Sequence, residues 1–417
     1  MKTLATTIAA SFLVLFVLTT LVPYPPARET ALHSGFSSDL IETGLQYTFE
    51  RRFFSWGWIA LELTLLYVLV FTSLSRRWAD RWLAWTGGRR ILAVMGMGLA
   101  YVLIQEILYL PIGIGGHYHA VAWGMSNLDL LGWLHHHYLS FGINLVWEAI
   151  ILVGFYGLLI GFPRIWWLLA PIGGSALGIA YAFLAPIAIN PLFNDFTPLA
   201  QTQWKDQDQH LRRLIAKAGV PIEEILVMDA STQSNHTNAY FTGFGSTRRI
   251  VLYDNLLKKH SEAEIESILA HELGHWMHDH IVKGILLSTL AALLGCFVLD
   301  RFLRAAMLRS PWRLQSIADP AGLPLLLLLV FLGGWVTLPM GNAVSRHFER
   351  QADHMALELA GQPDVFIECE KKLATDNKSN VAPTPWNVWL YASHPPTVER
   401  IRMAEEWKSE LSTKGTK

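Results

Sequence analysis

The sequence predicts a predominantly α, multi-pass membrane protein of about seven spans that also carries an α+β water-soluble part. Three observations predict it. The 417 residues are 52% hydrophobic and only 16% charged, a balance that puts a membrane reading ahead of two or three soluble domains. The apolar residues concentrate in seven stretches, near 3–22, 55–75, 91–113, 139–161, 165–190, 284–306 and 322–345, each close to the roughly 20 helical residues that cross a bilayer. Two polar blocks, about 195–283 and 346–417, keep ordinary charge content and soluble-type periodicity. The expected division is a membrane region with five spans (1–199), a soluble segment (200–283), spans six and seven (284–345) and a C-terminal segment (346–417).

The first stretch follows Lys2 and is long, and the PYPPAR after it offers no small-residue cleavage site, so it reads as a helix that stays rather than a signal peptide. Spans two, three and four carry Glu62, Glu106 and Glu148. A carboxylate at bilayer depth normally faces a protein or water-filled interior, and three on different helices suggest a polar cavity, although an interfacial position or one hydrogen-bond partner explains each singly. Between spans three and four, His135, His136 and His137 are consecutive and cannot all point at one ion from a helix. They are read as an interfacial or chamber-lining segment.

NPLFNDFTPL (190–199) closes the first membrane region and a charged helical pattern follows over 200–219. EILVMD (224–229) reads as a strand and STQSNHTN (231–238) as a polar loop. In AYFTGFGSTRRIVLYDNLL, GFGST separates two β-rich runs and predicts a hairpin. At Ser261, S-E-A-E is a capping-box pattern that places HELGH (271–275) well inside a helix.

A net charge of −1 with scattered basic residues leaves no electrostatic footprint for nucleic acid, which is not an expected partner. Cys296 and Cys369 lie in different regions without metal-ligand spacing, so no disulfide is expected.

In HELGH, His271 and His275 are four residues apart and share one helix face, where both imidazoles can reach one zinc ion. Glu272 projects beside them, placed to take a proton from a water that the metal has acidified. The motif alone also fits a surface helix with two stray histidines. A catalytic zinc needs a third protein ligand, and NAVSRHFERQAD (342–353) offers one. Asn342, Ser345, Arg346, Glu349 and Asp353 form a single polar face at the end of span seven. Glu349 can ligate, and Asp353 one turn on can accept a hydrogen bond from a ligand histidine. A solvated juxtamembrane helix explains these charges but not their one-sidedness.

Together HELGH, NAVSRHFERQAD, SNHTNAYFTGFG and SHPPTVERI resemble the CaaX prenyl endopeptidase family of integral-membrane zinc metalloproteases, over most of the chain from residue 165 onward. The resemblance implies a multi-pass membrane helical barrel with a zincin-like α+β metalloprotease part. It assigns one zinc ion per chain to His271, His275 and Glu349, the general base to Glu272, and a supporting role to Asp353. It also implies that NAYFTG (238–243) is the edge strand that holds the substrate backbone, although a plain hairpin strand with a covered edge fits too. Expected substrate contacts are Asn238, Ala239, Asn342 and Arg400. His394 matches a family histidine near the active site and would stabilise an oxyanion; Arg400 either does the same or pairs with a carboxylate. His236 either reaches the site or ends a turn, and His278, His280 and His347 are expected to be structural or solvent-facing.

The expected function is membrane-embedded zinc endopeptidase, acting on a peptide or protein that carries a prenylated C-terminus, with the lipid bilayer as its other partner. The location is a bacterial cell membrane or the endoplasmic reticulum membrane. Two alternatives are a quality-control zinc protease without prenyl dependence and a non-catalytic metal-binding scaffold or transporter. Loops after spans two, four and six hold most of the loop arginines, including Arg76, Arg77, Arg164, Arg309 and Arg313. By the positive-inside rule this puts the zinc site outside the cytoplasm, opposite to the cytosolic placement in eukaryotic members of the family.

Overall fold

The computed structural model describes residues 2–222, 224–243, 247–307 and 314–414. The middle of the GFGST turn (244–246), Arg309 and Arg313 lie outside the described residues. In chain order the helices are α1 (Lys2–Phe16), α2 (Pro25–His33), α3 (Ser38–Phe71), α4 (Leu74–Trp85), α5 (Arg90–Ala122), α6 (Leu130–Gly161), α7 (Trp166–Leu184), α8 (Lys205–Ala218), α9 (Asp254–Lys259), α10 (Glu262–Met277), α11 (His280–Met307), α12 (Leu323–Ala360), α13 (Pro363–Asp376), α14 (Pro385–Tyr391) and α15 (Thr397–Lys414). The strands are β1 (Phe196–Pro198), β2 (Glu224–Met228), β3 (Ala239–Thr242) and β4 (Arg249–Tyr253).

Among the described residues, seven helices are long and apolar enough to cross a membrane, and several overshoot the apolar stretch that marks them. Local chemistry sets their ends. The Ser37 hydroxyl accepts from Leu40 N–H at 3.2 Å and starts α3 well before its apolar run, and Asp129 caps α6 through Gly132 N–H at 2.7 Å. Helix α12 runs for 38 residues and stops only at Gly361, whose φ is 66°. The polar face of 342–353 is therefore a continuous extension of span seven.

Helices α12, α3, α5, α6, α7 and α11 each touch the next, and α11 returns to α12, which closes a ring. A solid bundle would bury one face of each helix. Here the most apolar stretch of α11 has 0% of its residues buried and that of α7 only 6%, so these helices stand like the staves of a hollow barrel. Helix α1 leans on the outside, with Phe12 against Trp56, Phe331 and Trp335. One end of the ring is sealed by an apolar cluster that includes Leu66, Trp166 and Leu303. Trp166 Nε1 donates there to Asp300 Oδ1 at 2.8 Å, and Arg76 pairs with Asp319 at 2.6 Å.

Two of the intramembrane carboxylates are answered across helices. Glu62 accepts from the hydroxyls of Tyr101 and Tyr109 and from Gln105 Nε2 at 2.8 Å. Glu106 Oε1 meets His137 Nε2 at 2.9 Å, and His136 instead stacks on Phe193, so the histidine run fans out rather than converging.

The soluble part covers the other end. Its sheet has the order β1-β2-β4-β3, with β2 parallel to β4 and β3 antiparallel to it. Leu211 of α8, Ile225, Ile250, Leu252, Leu269, Leu273 and Phe366 form one core between sheet and helices. β3 is an outer strand, lying against α10.

Candidate metal centre and active site

Helix α10 starts with a reciprocal cap. Glu264 N–H donates to Ser261 Oγ at 3.3 Å, and Ser261 N–H donates to Glu264 Oε2 at 2.6 Å, worth about 1 kcal/mol for such a cap. One turn separates His271 from His275, and between them α10 crosses α12 at Gly274. A Cβ on Gly274 would lie 2.9 Å from Ala352 Cα and 3.0 Å from the Ala352 carbonyl oxygen, so the helices touch backbone to backbone. That approach delivers Glu349. His271 Nε2 is 3.3 Å from Glu349 Oε2 and His275 Nε2 is 3.6 Å from Glu349 Oε1. One ligand atom from each of the three residues lies within 4.8 Å of the others.

The donor set fits a metal ion. His271 Nδ1 is occupied by Asp353 Oδ1 at 2.8 Å and His275 Nδ1 by His280 Nδ1 at 2.9 Å. With the ring protons on those Nδ1 atoms, two bare Nε2 lone pairs face each other across 3.2 Å, an arrangement that a cation relieves. Among the described residues, no directed hydrogen-bond donor reaches the buried Glu349 Oε2. Burial lowers the His271 imidazole, but the Asp353 and Glu349 carboxylates beside it outweigh that and push it up to about 10, so the surroundings favour positive charge. Two imidazoles and a carboxylate make a three-ligand set with an open fourth position.

Glu272 faces β3. Its carboxylate accepts from the Phe241 N–H, and burial pushes its pKa up, as suits a group that must carry a proton during a reaction. Beside it is a cavity of about 120 Å³ lined by His271, Glu272, Asn238, Ala239, Glu370 and Arg400 among others. Asn238 O accepts from Tyr253 N–H at 3.1 Å, and the register pairs Ala239 with Leu252 and Phe241 with Ile250. Alternation along an antiparallel ladder then turns the backbone groups of Ala239 and Phe241 away from β4, toward the outer edge. Helix α10 covers that edge at Phe241, through Glu272, while Asn238 and Ala239 face the cavity.

His394 Nε2 lies 3.3 Å from Glu349 Oε2, on a side chain 58% exposed, and Ser393 Oγ holds its Nδ1 at 2.9 Å. Arg400, its side chain 14% exposed, stands behind the site. Its Nε donates to Asp353 Oδ2 at 2.9 Å, a second nitrogen bonds Asp353 Oδ1, and its Nη1 reaches Glu370 Oε2 at 2.6 Å. Burial would lower the guanidinium, but Asp353 and Glu370 raise it. The line Glu370, Arg400, Asp353, His271 braces the first histidine, so Arg400 stands in the carboxylate pairing, with one side toward the cavity.

Asn342 sits two turns before Glu349, roughly 10 Å along the helix, and donates to Leu390 O at 2.7 Å, holding α14 in place. His236 Nδ1 turns to Asn377 Oδ1 at 3.0 Å. His347 is exposed. His278 stacks on His280, and His280 is buried in contact with His275. His280 was expected to be structural or solvent-facing because it sits past the ligand turn, and on a continuous helix five residues at 100° each would place it about 140° from His275. The chain breaks between them: α10 ends at Met277 and Asp279 has φ 52°.

Residues 201–408 match peptidase family M48. The uncharacterized metalloprotease YhfN of Bacillus subtilis is 30% identical over 363 residues, which cover 87% of this chain and 84% of that relative. The CAAX prenyl protease 1 homolog of Oryza sativa is 34% identical over 239 residues, 55% of this chain and 54% of that protein, so the chain matches about half the length of this relative. The crystal structure of S. mikatae Ste24p superposes with a TM-score of 0.79 over 95% of this chain and 97% of that one, at 23% identity, a likeness of fold.

Proposed function

The chain belongs to peptidase family M48 and is an integral, multi-pass membrane metalloendopeptidase; from that premise we propose that zinc, one ion per chain, is its metal and that a peptide with a prenylated CaaX tail is its substrate. His271, His275 and Glu349 would hold the ion. When bound, zinc supplies a Lewis acid that polarises the scissile carbonyl and acidifies a water. The observation that carries the reading is the convergence of those three donors within 4.8 Å, beside Glu272 and a cavity whose wall is a strand edge.

The chain's own residues supply the remaining chemistry. An extended peptide pairs with the outward backbone groups of Ala239, with Asn238 beside it, and this sets the scissile bond next to Glu272. Glu272 takes a proton from the attacking water and passes it to the leaving nitrogen, so one water and one peptide bond become a carboxylate and an amine. His394 donates a hydrogen bond from Nε2 to the carbonyl oxygen as it gains charge. Asp353, held by Arg400, keeps the His271 proton on Nδ1. Prenyl recognition is supported by the likeness to CAAX prenyl proteases and by a ring of membrane helices next to the site.

The test is cleavage of a prenylated CaaX peptide and its unprenylated twin by the purified chain, before and after chelation. Chelator-sensitive cleavage that favours the prenylated peptide is expected. Equal cleavage of both would give the quality-control reading, and cleavage untouched by metal removal would sink the proposal.

A further inference from the structure

Resting on the metal-site reading above, we propose that His280 is the positioning residue for the second metal-ligating histidine, locked in place by Gln351. His275 Nδ1 and His280 Nδ1 are 2.9 Å apart, and His280 Nε2 is 2.9 Å from Gln351 Oε1. The tautomers follow from the far end. Gln351 Oε1 can only accept, so His280 carries its proton on Nε2. Its Nδ1 is then a bare acceptor, which requires a donor at His275 Nδ1. With that proton fixed, the His275 Nε2 lone pair points toward His271 and Glu349.

The rest of the local structure serves this placement. His280 is 5% exposed, and its ring lies on Phe348 with 4.2 Å between centroids and 8° between planes. Phe348 and Gln351 flank the ligand Glu349 on α12, so one stretch of that helix supplies a ligand, the seat for His280 and, at Asp353, the brace for His271. Asp279, a non-glycine residue in the left-handed region at φ 52°, ends the helix path after HELGH and turns His280 back against His275. Such backbone strain persists where the surroundings over-determine it. The two ligand histidines are thus backed differently. His271 leans on a carboxylate and His275 on a neutral imidazole, which withholds negative charge from the second ligand.

The experiment measures zinc affinity of the full chain in detergent by chelator competition, with thermal midpoints of the metal-free protein alongside. His280→Phe keeps the stacking on Phe348 and removes the acceptor; Gln351→Leu leaves His280 in place but frees its tautomer. The proposal expects zinc affinity to fall ~10- to 100-fold in His280→Phe and by less in Gln351→Leu. The metal-free midpoint stays, and the visible bands of the cobalt-substituted protein shift in both. A purely structural role would lower the metal-free midpoint and leave affinity unchanged, and wild-type zinc affinity in both variants would overturn the proposal. His275→Ala separates this from the underlying reading: if it too binds zinc normally, the metal site is misassigned.

Discussion

Replacing Gly274 by alanine would put a methyl carbon 2.9 Å from Ala352 Cα, 3.0 Å from the Ala352 carbonyl oxygen and 3.0 Å from Met355 Cβ. Two of those neighbours are backbone and cannot rotate aside. Carbon atoms pack at about 3.5–4.0 Å, so α10 and α12 would have to part by roughly 0.6 Å or more. The fold should survive: alanine gains about 1 kcal/mol of helix propensity, against about 1–3 kcal/mol for overpacking. The metal site should not, because ligand distances tolerate only about ±0.2 Å and the helices carry His271 and His275 on one side and Glu349 on the other. We expect zinc affinity lower by at least about tenfold and peptide cleavage down on the order of 100-fold, with a thermal midpoint near wild type. Gly295→Ala is the control, since among the described residues nothing lies within 4 Å of its added Cβ. Wild-type zinc affinity and rate in Gly274→Ala would refute the claim that close helix contact assembles the site.

Ala239→Pro removes an N–H that points to the outer edge rather than to β4, where proline is tolerated. It should lower kcat/KM by about tenfold, the worth of one backbone hydrogen bond, and leave zinc content unchanged; an unaltered kcat/KM would show that substrate does not pair there. Arg400→Met leaves Asp353 and Glu370 buried without their cation and should cost about 3–5 kcal/mol in denaturation; a loss below about 1 kcal/mol would mean that the pairing is not structural. Burial is the main influence on His260, whose pKa is lowered despite Glu264 and Asp376 nearby. Below about pH 6.5 the unfolded chain takes up a proton that the folded chain resists, so stability falls as pH drops through that range. His260→Gln should flatten the fall, and an unchanged pH profile of the thermal midpoint would exclude the histidine as its source.

Much of the candidate site was legible in the residues. Ser261 and Glu264 announced the helix that presents HELGH, and the single polar face from Asn342 to Asp353 pointed to Glu349 because helical spacing alone decides which side chains share a side. Other features were not legible. The role of Gly274 depends on Ala352, 78 positions away in sequence and adjacent only after folding. His280 reaches His275 through a left-handed residue at Asp279, and an aspartate inside a helical pattern gives little notice of that. The barrel was expected from the family resemblance alone, and the order of its helices was not legible because hydropathy marks spans without ordering them. Span ends were missed for a related reason: α3 and α12 continue as ordinary amphipathic helices beyond their apolar runs, and only Ser37 and Gly361 mark where they stop.

The most direct measurement is zinc content and cleavage of a CaaX-type peptide, made side by side on purified wild type and Glu272→Gln. The account predicts one zinc per chain in both, with cleavage in the variant reduced by a factor of about 10²–10⁴, the contribution of a positioned proton acceptor. A zinc-loaded Glu272→Gln that cleaves at the wild-type rate would contradict it.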